Sequence, residues 1–218
     1  MKKIFDTLKE NPLFHGIAFS DFEAMLGCLS AKSGSYGKDD VILLSGDTVS
    51  FVGLILQGGV KIISEDVNGN TALLSELGVS ETFCEVFACA EIDHSPVTIV
   101  AAEDTEVLFV NYKRIITSCS AACPFHTRLI ENMLKLIAMK NISLNKKIEI
   151  LSRRSTREKL LCFFDFQRGA ARKFAIPFNR EELAHYLCVD RSAMSNELCK
   201  MRDEGLISFE RNRFEILA

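Results

Sequence analysis

The spacing of apolar positions changes character twice along this chain of 218 residues, and each change predicts a different kind of element. At the start, Phe22, Met25, Leu26 and Leu29 recur at helical spacing. Ser20 with Glu23 has the form of a capping box, so helix is predicted before residue 30. From Ser33 to Val110 the pattern becomes one of short β-type runs broken by Gly, Asn and Asp. Val41–Leu44 stops at Ser45-Gly46-Asp47, Phe51–Leu56 stops at Gln57-Gly58-Gly59, and Val60–Ile63 follows at once. Asn68-Gly69 predicts a two-residue hairpin turn, because a type I′ turn needs positive φ at both central positions. Val97, Ile99 and Ala101 alternate with Thr98 and Val100, and Glu103-Asp104 turns the chain into Val107–Val110. Short strands at such even spacing predict a barrel or jelly roll.

After Pro124 the period is helical again, through about 30 residues without Gly or Pro. Ile130, Met133, Ile137, Leu144 and Leu151 fall on a and d positions of a heptad, with Lys140 and Lys147 interrupting the seam. Such a helix either packs on its own domain or pairs with a second chain, and its length and 3.5 period favour the pair. Ser155 with Glu158 is a second capping box, which starts a new helix and sets a boundary after Arg154. The resulting division is 1–123, 124–154 and 155–218. The Arg153-Arg154 pair at the hinge is either simply solvated or within reach of phosphate.

The segment from Phe178 to Ile207 is the most informative. Asn179 can cap a helix with Leu183, Ala184 and Leu187 on its apolar face, and Asp190 can cap a second helix starting at Arg191. Between them Cys188-Val189-Asp190 makes a short turn, with Ala184 small enough for a close crossing and Val189 turned inward. Met194, Leu198 and Met201 form a stripe at i, i+4 and i+7, and Arg191, Ser192, Ser195, Asn196 and Cys199 share the opposite face. That face has what a major-groove reader needs: Arg pairs bidentately with guanine, and Asn with adenine. Gly205 ends the helix, and Leu206–Phe209 and Phe214–Leu217 flank Arg211-Asn212-Arg213 as a hairpin wing. A generic helix pair with a polar outer side is the plain alternative; turn, caps, wing and reading face together argue against it.

Charge adds little. The chain carries a formal −3; residues 155–218 hold 11 Lys+Arg against 10 Asp+Glu, or +1, leaving −4 on the rest. With 48% hydrophobic residues a normal core is expected, and no apolar run reaches the ~18 residues of a membrane span. Asp6, Lys9 and Glu10 break any signal-peptide core, so a cytoplasmic protein is expected. The eight cysteines then read as reduced, mostly buried thiols. None forms a CxxC pair, which leaves a zinc site poorly supported and no metal ligand assigned. No nucleophile elbow, P-loop or metal-ligand spacing points to an enzyme.

Taken together, these segments resemble the Crp/Fnr family of bacterial regulators over essentially the whole chain. In the C-terminal part the resemblance rests on Phe178–Ala184, Val189–Leu198 and Met201–Ile207. In the N-terminal part it rests on Gly46-Asp47, Leu56–Lys61, Phe83-Cys84-Glu85 and Ser95–Ala101. It implies an α+β architecture: a cyclic-nucleotide-binding-type β-roll of jelly-roll form, a dimerisation helix and a winged helix-turn-helix. It also implies a homodimer on near-palindromic double-stranded DNA, with half-sites about 34 Å apart. Carried over by position, the base-reading residues would be Arg191, Ser192, Ser195 and Asn196, with Asn179, Arg180, Lys200 and Arg211 as further DNA contacts. Family members often have Glu at the place of Ser192 and Arg at that of Asn196, so a different half-site is expected. An activating member would also touch RNA polymerase, for which the sequence carries no signature.

For the effector, nucleotide-binding relatives have a Phe-Gly-Glu segment before an Arg-Ser/Thr pair, Glu holding the ribose and Arg the cyclic phosphate. Here Cys84 replaces the glycine, and His94-Ser95-Pro96 stands where the Arg pair would be. An imidazole lacks the fixed charge and fork of a guanidinium, which argues against cyclic AMP or GMP. Three alternatives stay open. A small organic molecule would be lined by Phe83, Cys84, Glu85, His94 and Ser95, with Leu144 and Asn145 from the dimer helix. Haem would use His15, His94 or His126, whereas an iron-sulfur cluster lacks its N-terminal cysteines. A thiol switch would use Cys84 with Cys89 or Cys119 with Cys123, against a plain structural role for these thiols. A nucleotide-binding module without DNA remains the alternative class.

Overall fold

Packing, not a side-chain cap, starts the helical N-terminus. Helices α1 (Lys2–Leu8) and α2 (Phe19–Cys28) flank a 3-10 turn at Pro12–Phe14. The Phe5 ring meets Phe19 and Phe22 edge-on, each at 5.1 Å. This contact carries the start of α2 back to Phe19, with Ala18 at the N-cap and no side-chain cap bond. The expected Ser20 capping box therefore does not form; Ser20 lies within the first turn. The computed structural model describes residues 1–66, 68–117 and 123–217, in two compact units, Met1–Ala138 and Met139–Ala218.

The first unit is the expected jelly roll. Its strands are β1 (Lys32–Tyr36), β2 (Val41–Leu43), β3 (Phe51–Gln57), β4 (Val60–Glu65), β5 (Thr71–Leu77) and β6 (Thr82–Phe83). Helix α3 (Glu85–Cys89) precedes β7 (Thr98–Ala101) and β8 (Thr105–Asn111), and α4 (Tyr112–Ile116) follows. Two antiparallel sheets form, ordered β1-β8-β3-β6 and β2-β7-β4-β5. Central strand β3 pairs with β8 as Val52↔Val110 and Leu54↔Leu108, and Val52 through Ile55 are buried, as a strand covered on both faces requires. The β4–β5 hairpin differs from the two-residue turn expected. Asp66 N–H donates to Asn70 O, and the Asp66 carboxylate accepts from the N–H groups of Asn68 and Asn70. An Asx-type turn, with Gly69 at φ +80°, moves the closing pair one residue outward.

Gly53, in the middle of β3, explains the place of Phe83. A Cβ there would lie 2.2 Å from the Phe83 ring, which also meets Phe51 and Phe109 edge-on. The absent side chain is the space the ring fills.

Helix α5 (Pro124–Leu151) is shared by the two units. Phe125, Leu129, Met133 and Leu136 are buried in the first unit's core, and Asn132 donates to the carbonyls of Leu13 and His15. Ile150 belongs to the core of the second unit. Of the heptad positions, Met133 is thus turned into its own domain, while Leu144 is 59% exposed together with Leu134, Met139 and Ile148.

The second unit continues with α6 (Thr156–Arg168), β9 (Lys173–Ala175), α7 (Arg180–Leu187), α8 (Arg191–Asp203), β10 (Ile207–Glu210) and β11 (Arg213–Ile216). The wing is a three-stranded sheet, β10-β11-β9; the short β9 has no marked sequence signal. Three caps expected from sequence form as such. Ser155 and Glu158, and Asn179 and Glu182, close reciprocal capping boxes on α6 and α7. Asp190 accepts from Ala193 N–H at 2.8 Å at the start of α8. The side chains of Phe163, Phe164, Leu183, Leu187, Met194, Leu198 and Met201 pack beneath these helices.

Two outcomes follow. Gly53→Ala is expected to cost about 1–3 kcal/mol by overpacking against Phe83. Urea denaturation should show Gly53→Ala/Phe83→Leu recovering part of that loss, and simple additivity would contradict the packing account. Hydrogen bonds from Ser192 Oγ and the Ala193 and Ser192 backbone hold the Asp190 carboxyl below its ordinary range. Its contribution is therefore complete above about pH 4, the unfolded value, and is lost as pH falls through the lower folded value. The acid loss of thermal stability should be smaller in Asp190→Asn than in the native chain.

Candidate functional site

The α7–α8 pair positions one polar face. Cys188 ends α7 in the left-handed conformation (φ +51°), and Val189 N–H donates to Ala184 O at 3.1 Å, which closes the turn sharply. Val189 is half-buried and Ala184 buried, as the tight crossing requires. On α8, Met194, Leu198 and Met201 are at most 1% exposed, so the rotation of the helix about its axis is settled by its apolar side. Arg157 of α6 grips it from behind: its guanidinium pairs bidentately with Glu204, at 2.7 and 2.8 Å, and also with Glu197. An exposed ion pair adds little stability, whereas each fully buried Leu or Met contributes about 1.5–3 kcal/mol. The stripe holds α8; the fork orients it.

What remains outward is the predicted set. Arg191, Ser192, Asn196 and Lys200 are exposed, and Ser195 is half-buried. Ser192 donates its hydroxyl hydrogen to Asp190 Oδ1 at 2.5 Å, so toward a ligand it offers only acceptor capacity. Asn179, Arg180 and Arg211 meet at a separate place, lining a cavity of about 520 Å³ with Pro177, Phe178, Glu182 and Asn212. The carbonyl oxygen of the Asn179 side chain is taken by the N–H groups of Glu181 and Glu182, which leaves the amide NH₂ for outside partners. The Arg180 guanidinium lies 4.8 Å from the Phe209 ring centre and 5.1 Å from that of Phe214, and burial lowers its pKa. Arg211, at the wing tip, is exposed with φ +53°.

The sensor residues group differently. Phe83 is a core aromatic against Gly53, and Cys84 and Glu85 are buried at the start of α3. Cys84 has φ +65° and ψ −3°, a backbone conformation that favours glycine, and keeps a buried side chain in it. His94 is exposed, with its Nδ1 2.8 Å from Gly46 O, where the nitrogen must carry the proton. Ser95 is buried and exchanges backbone hydrogen bonds with Gly46 and Asp47. Leu144 and Asn145 lie in the other compact unit, where Asn145 donates to Asn141.

Among the haem candidates His15 is exposed like His94, and His126 is buried in the first turn of α5. For the thiol switch, burial pushes the Cys89 thiol up, a hydrogen bond with Tyr112 opposes this, and the charge of Glu85 reinforces it. A raised pKa means little thiolate at neutral pH, the opposite of a reactive sensor cysteine. Cys119, and with it the 119/123 pair, lies outside the described residues. No helix of the described residues is long and apolar enough to cross a membrane.

Comparison with known proteins agrees with this geometry. Residues 34–121 match the cyclic nucleotide-binding domain and residues 151–218 the Crp-like helix-turn-helix domain. No curated protein sequence matches the chain. Among solved structures it is similar to the Thermus thermophilus catabolite activator protein, with 23% identity, coverage of 94% of this chain and 93% of that one, and a TM-score of 0.55. It is similar also to the c-di-GMP-responsive regulator CLP of Xanthomonas campestris, with 16% identity, coverage of 90% and 99%, and a TM-score of 0.57. For DNR of Pseudomonas aeruginosa the values are 16%, 98% and 93%, and 0.52. These likenesses are likenesses of fold. With both domain models matched in order, on a jelly roll, a long helix and a winged helix pair, the chain belongs to the Crp/Fnr family of DNA-binding transcription regulators.

Proposed function

We propose that this regulator acts as a homodimer, reads a near-palindromic operator with α8 of each protomer, and is switched by a β-roll ligand other than cyclic AMP or GMP. The polar face of α8 carries the reading: Arg191, Ser192, Ser195, Asn196 and Lys200 are turned away from a buried Met194–Leu198–Met201 stripe. Arg191 and Asn196 are the bidentate readers, Ser192 an acceptor for a base amino group, and Lys200 a phosphate contact. Asn179, Arg180 and Arg211 form a flanking group between α7 and the wing. The exposed Leu134, Leu144 and Ile148 on α5 support pairing with a second protomer.

The case against a standard cyclic nucleotide rests on two positions. Cys84 keeps a glycine-type backbone where nucleotide-binding relatives have glycine, but adds a thiol side chain that is packed into the core. His94 spends one ring nitrogen on Gly46 O and has no guanidinium fork. A ligand shifts the regulator only as far as it binds the DNA-competent state better than the other.

Fluorescence anisotropy on a selected operator tests the DNA reading. Arg191→Ala and Asn196→Ala should each cost about 1–3 kcal/mol of specific affinity and relax one base position. Lys200→Ala should weaken all sequences alike and reduce the salt slope by about 1. Equal losses on specific and random duplexes for all three would refute base reading by this face. Calorimetry tests the effector argument: the native chain should not bind cyclic AMP at micromolar concentrations, and Cys84→Gly/His94→Arg should gain binding. Micromolar binding by the native chain would overturn it.

A further inference from the structure

A cluster outside both of these regions has the chemistry of a metal site. Cys28 ends α2, Cys123 immediately precedes α5, and His126 lies in the first turn of α5, all within the first compact unit. One ligand-capable atom from each lies within 4.8 Å of the other two, and Cys28 Sγ is 3.7 Å from His126 Nε2. The imidazole is 3% exposed, and its Nδ1 has no hydrogen-bond partner among the described residues. The two thiols are half-buried.

The Cys28–His126 separation of 3.7 Å is that of a coordination shell, and the other ligand atoms, all within 4.8 Å of one another, lie close enough to close on one ion. Zinc–sulfur and zinc–nitrogen bonds of about 2.3 and 2.0 Å at tetrahedral angles separate ligand atoms by roughly 3.5–3.8 Å. The donor set selects the ion: thiolate and imidazole suit zinc and other thiophilic ions, while magnesium and calcium require oxygen. Arg114 donates to the Cys28 carbonyl at 3.1 Å, which ties the end of α2 to α4. The lack of a CxxC pair does not bear on this set, which is assembled by tertiary contact across 98 residues.

We propose that Cys28, Cys123 and His126 bind one thiophilic metal ion of the zinc class, with the fourth position supplied from outside these residues. Binding releases the two thiol protons to solvent and joins the end of α2 to the start of α5. The proposal is independent of the DNA and β-roll readings, since the test measures metal.

The full-length chain, reduced and stripped with a chelator, is titrated anaerobically with cobalt(II). The expected result is one ion per chain, with thiolate-to-cobalt charge-transfer absorption and tetrahedral ligand-field bands, displaced by one equivalent of zinc. Cys28→Ser and His126→Gln should each abolish that stoichiometric step, and Cys162→Ser should retain it. A readout on the unmodified chain guards against misfolded variants: zinc should protect Cys28 and Cys123, but not exposed Cys199, from alkylation mapped by mass spectrometry. Cobalt binding without thiolate absorption, absorption unchanged in Cys28→Ser, or equal alkylation of all three cysteines with and without zinc would overturn the site. So would a Cys28–Cys123 disulfide in the anaerobically isolated chain.

Discussion

The DNA-reading unit depends on one constraint: a 13-residue helix must show hydrogen-bonding groups on one side while its rotation is held from the other. An exposed polar face cannot hold itself, because water competes for each of its groups. Rotation about the axis is therefore set by Met194, Leu198 and Met201, which are excluded from solvent. The N-terminus of α8 is set by the Asp190 cap, and its far end is steadied by the Arg157 fork on Glu204. The outward side chains are then free of structural duty, apart from Ser192, whose hydroxyl is shared with the cap.

In the sensor unit the corresponding device is α5, whose first half is part of the β-roll core. The buried Asn132 fastens it to the Pro12–Phe14 turn, and the Phe125–His126 end sits against the close of α2. The same helix runs on, unbroken, into the second unit.

Legibility in the sequence followed the range of the interaction. The caps at Ser155, Asn179 and Asp190 were readable because a side chain and the backbone it bonds lie within three residues. The buried stripe of α8 was readable because period alone defines it. Ser20 failed where a Phe5–Phe19 contact outweighed the local pattern, and the Asn68-Gly69 turn failed because the Asp66 carboxylate claimed two N–H groups. The heptad of α5 blended two faces, since Met133 serves the protomer's own core and Leu144 does not. The Cys28, Cys123 and His126 cluster was beyond sequence reading as a set. Only the Cys123-x-x-His126 spacing, one helical turn, gave a local hint.

The left-handed backbone at Cys84 bears on how sensor domains of this kind diverge. The loop is held by its surroundings, with Phe83 seated over Gly53 and α3 continuing from Glu85, so it keeps a glycine-type shape with a larger residue in place. A residue larger than glycine is thus compatible with the shape of this loop, so the backbone conformation and the chemistry of the side chain it carries are separable.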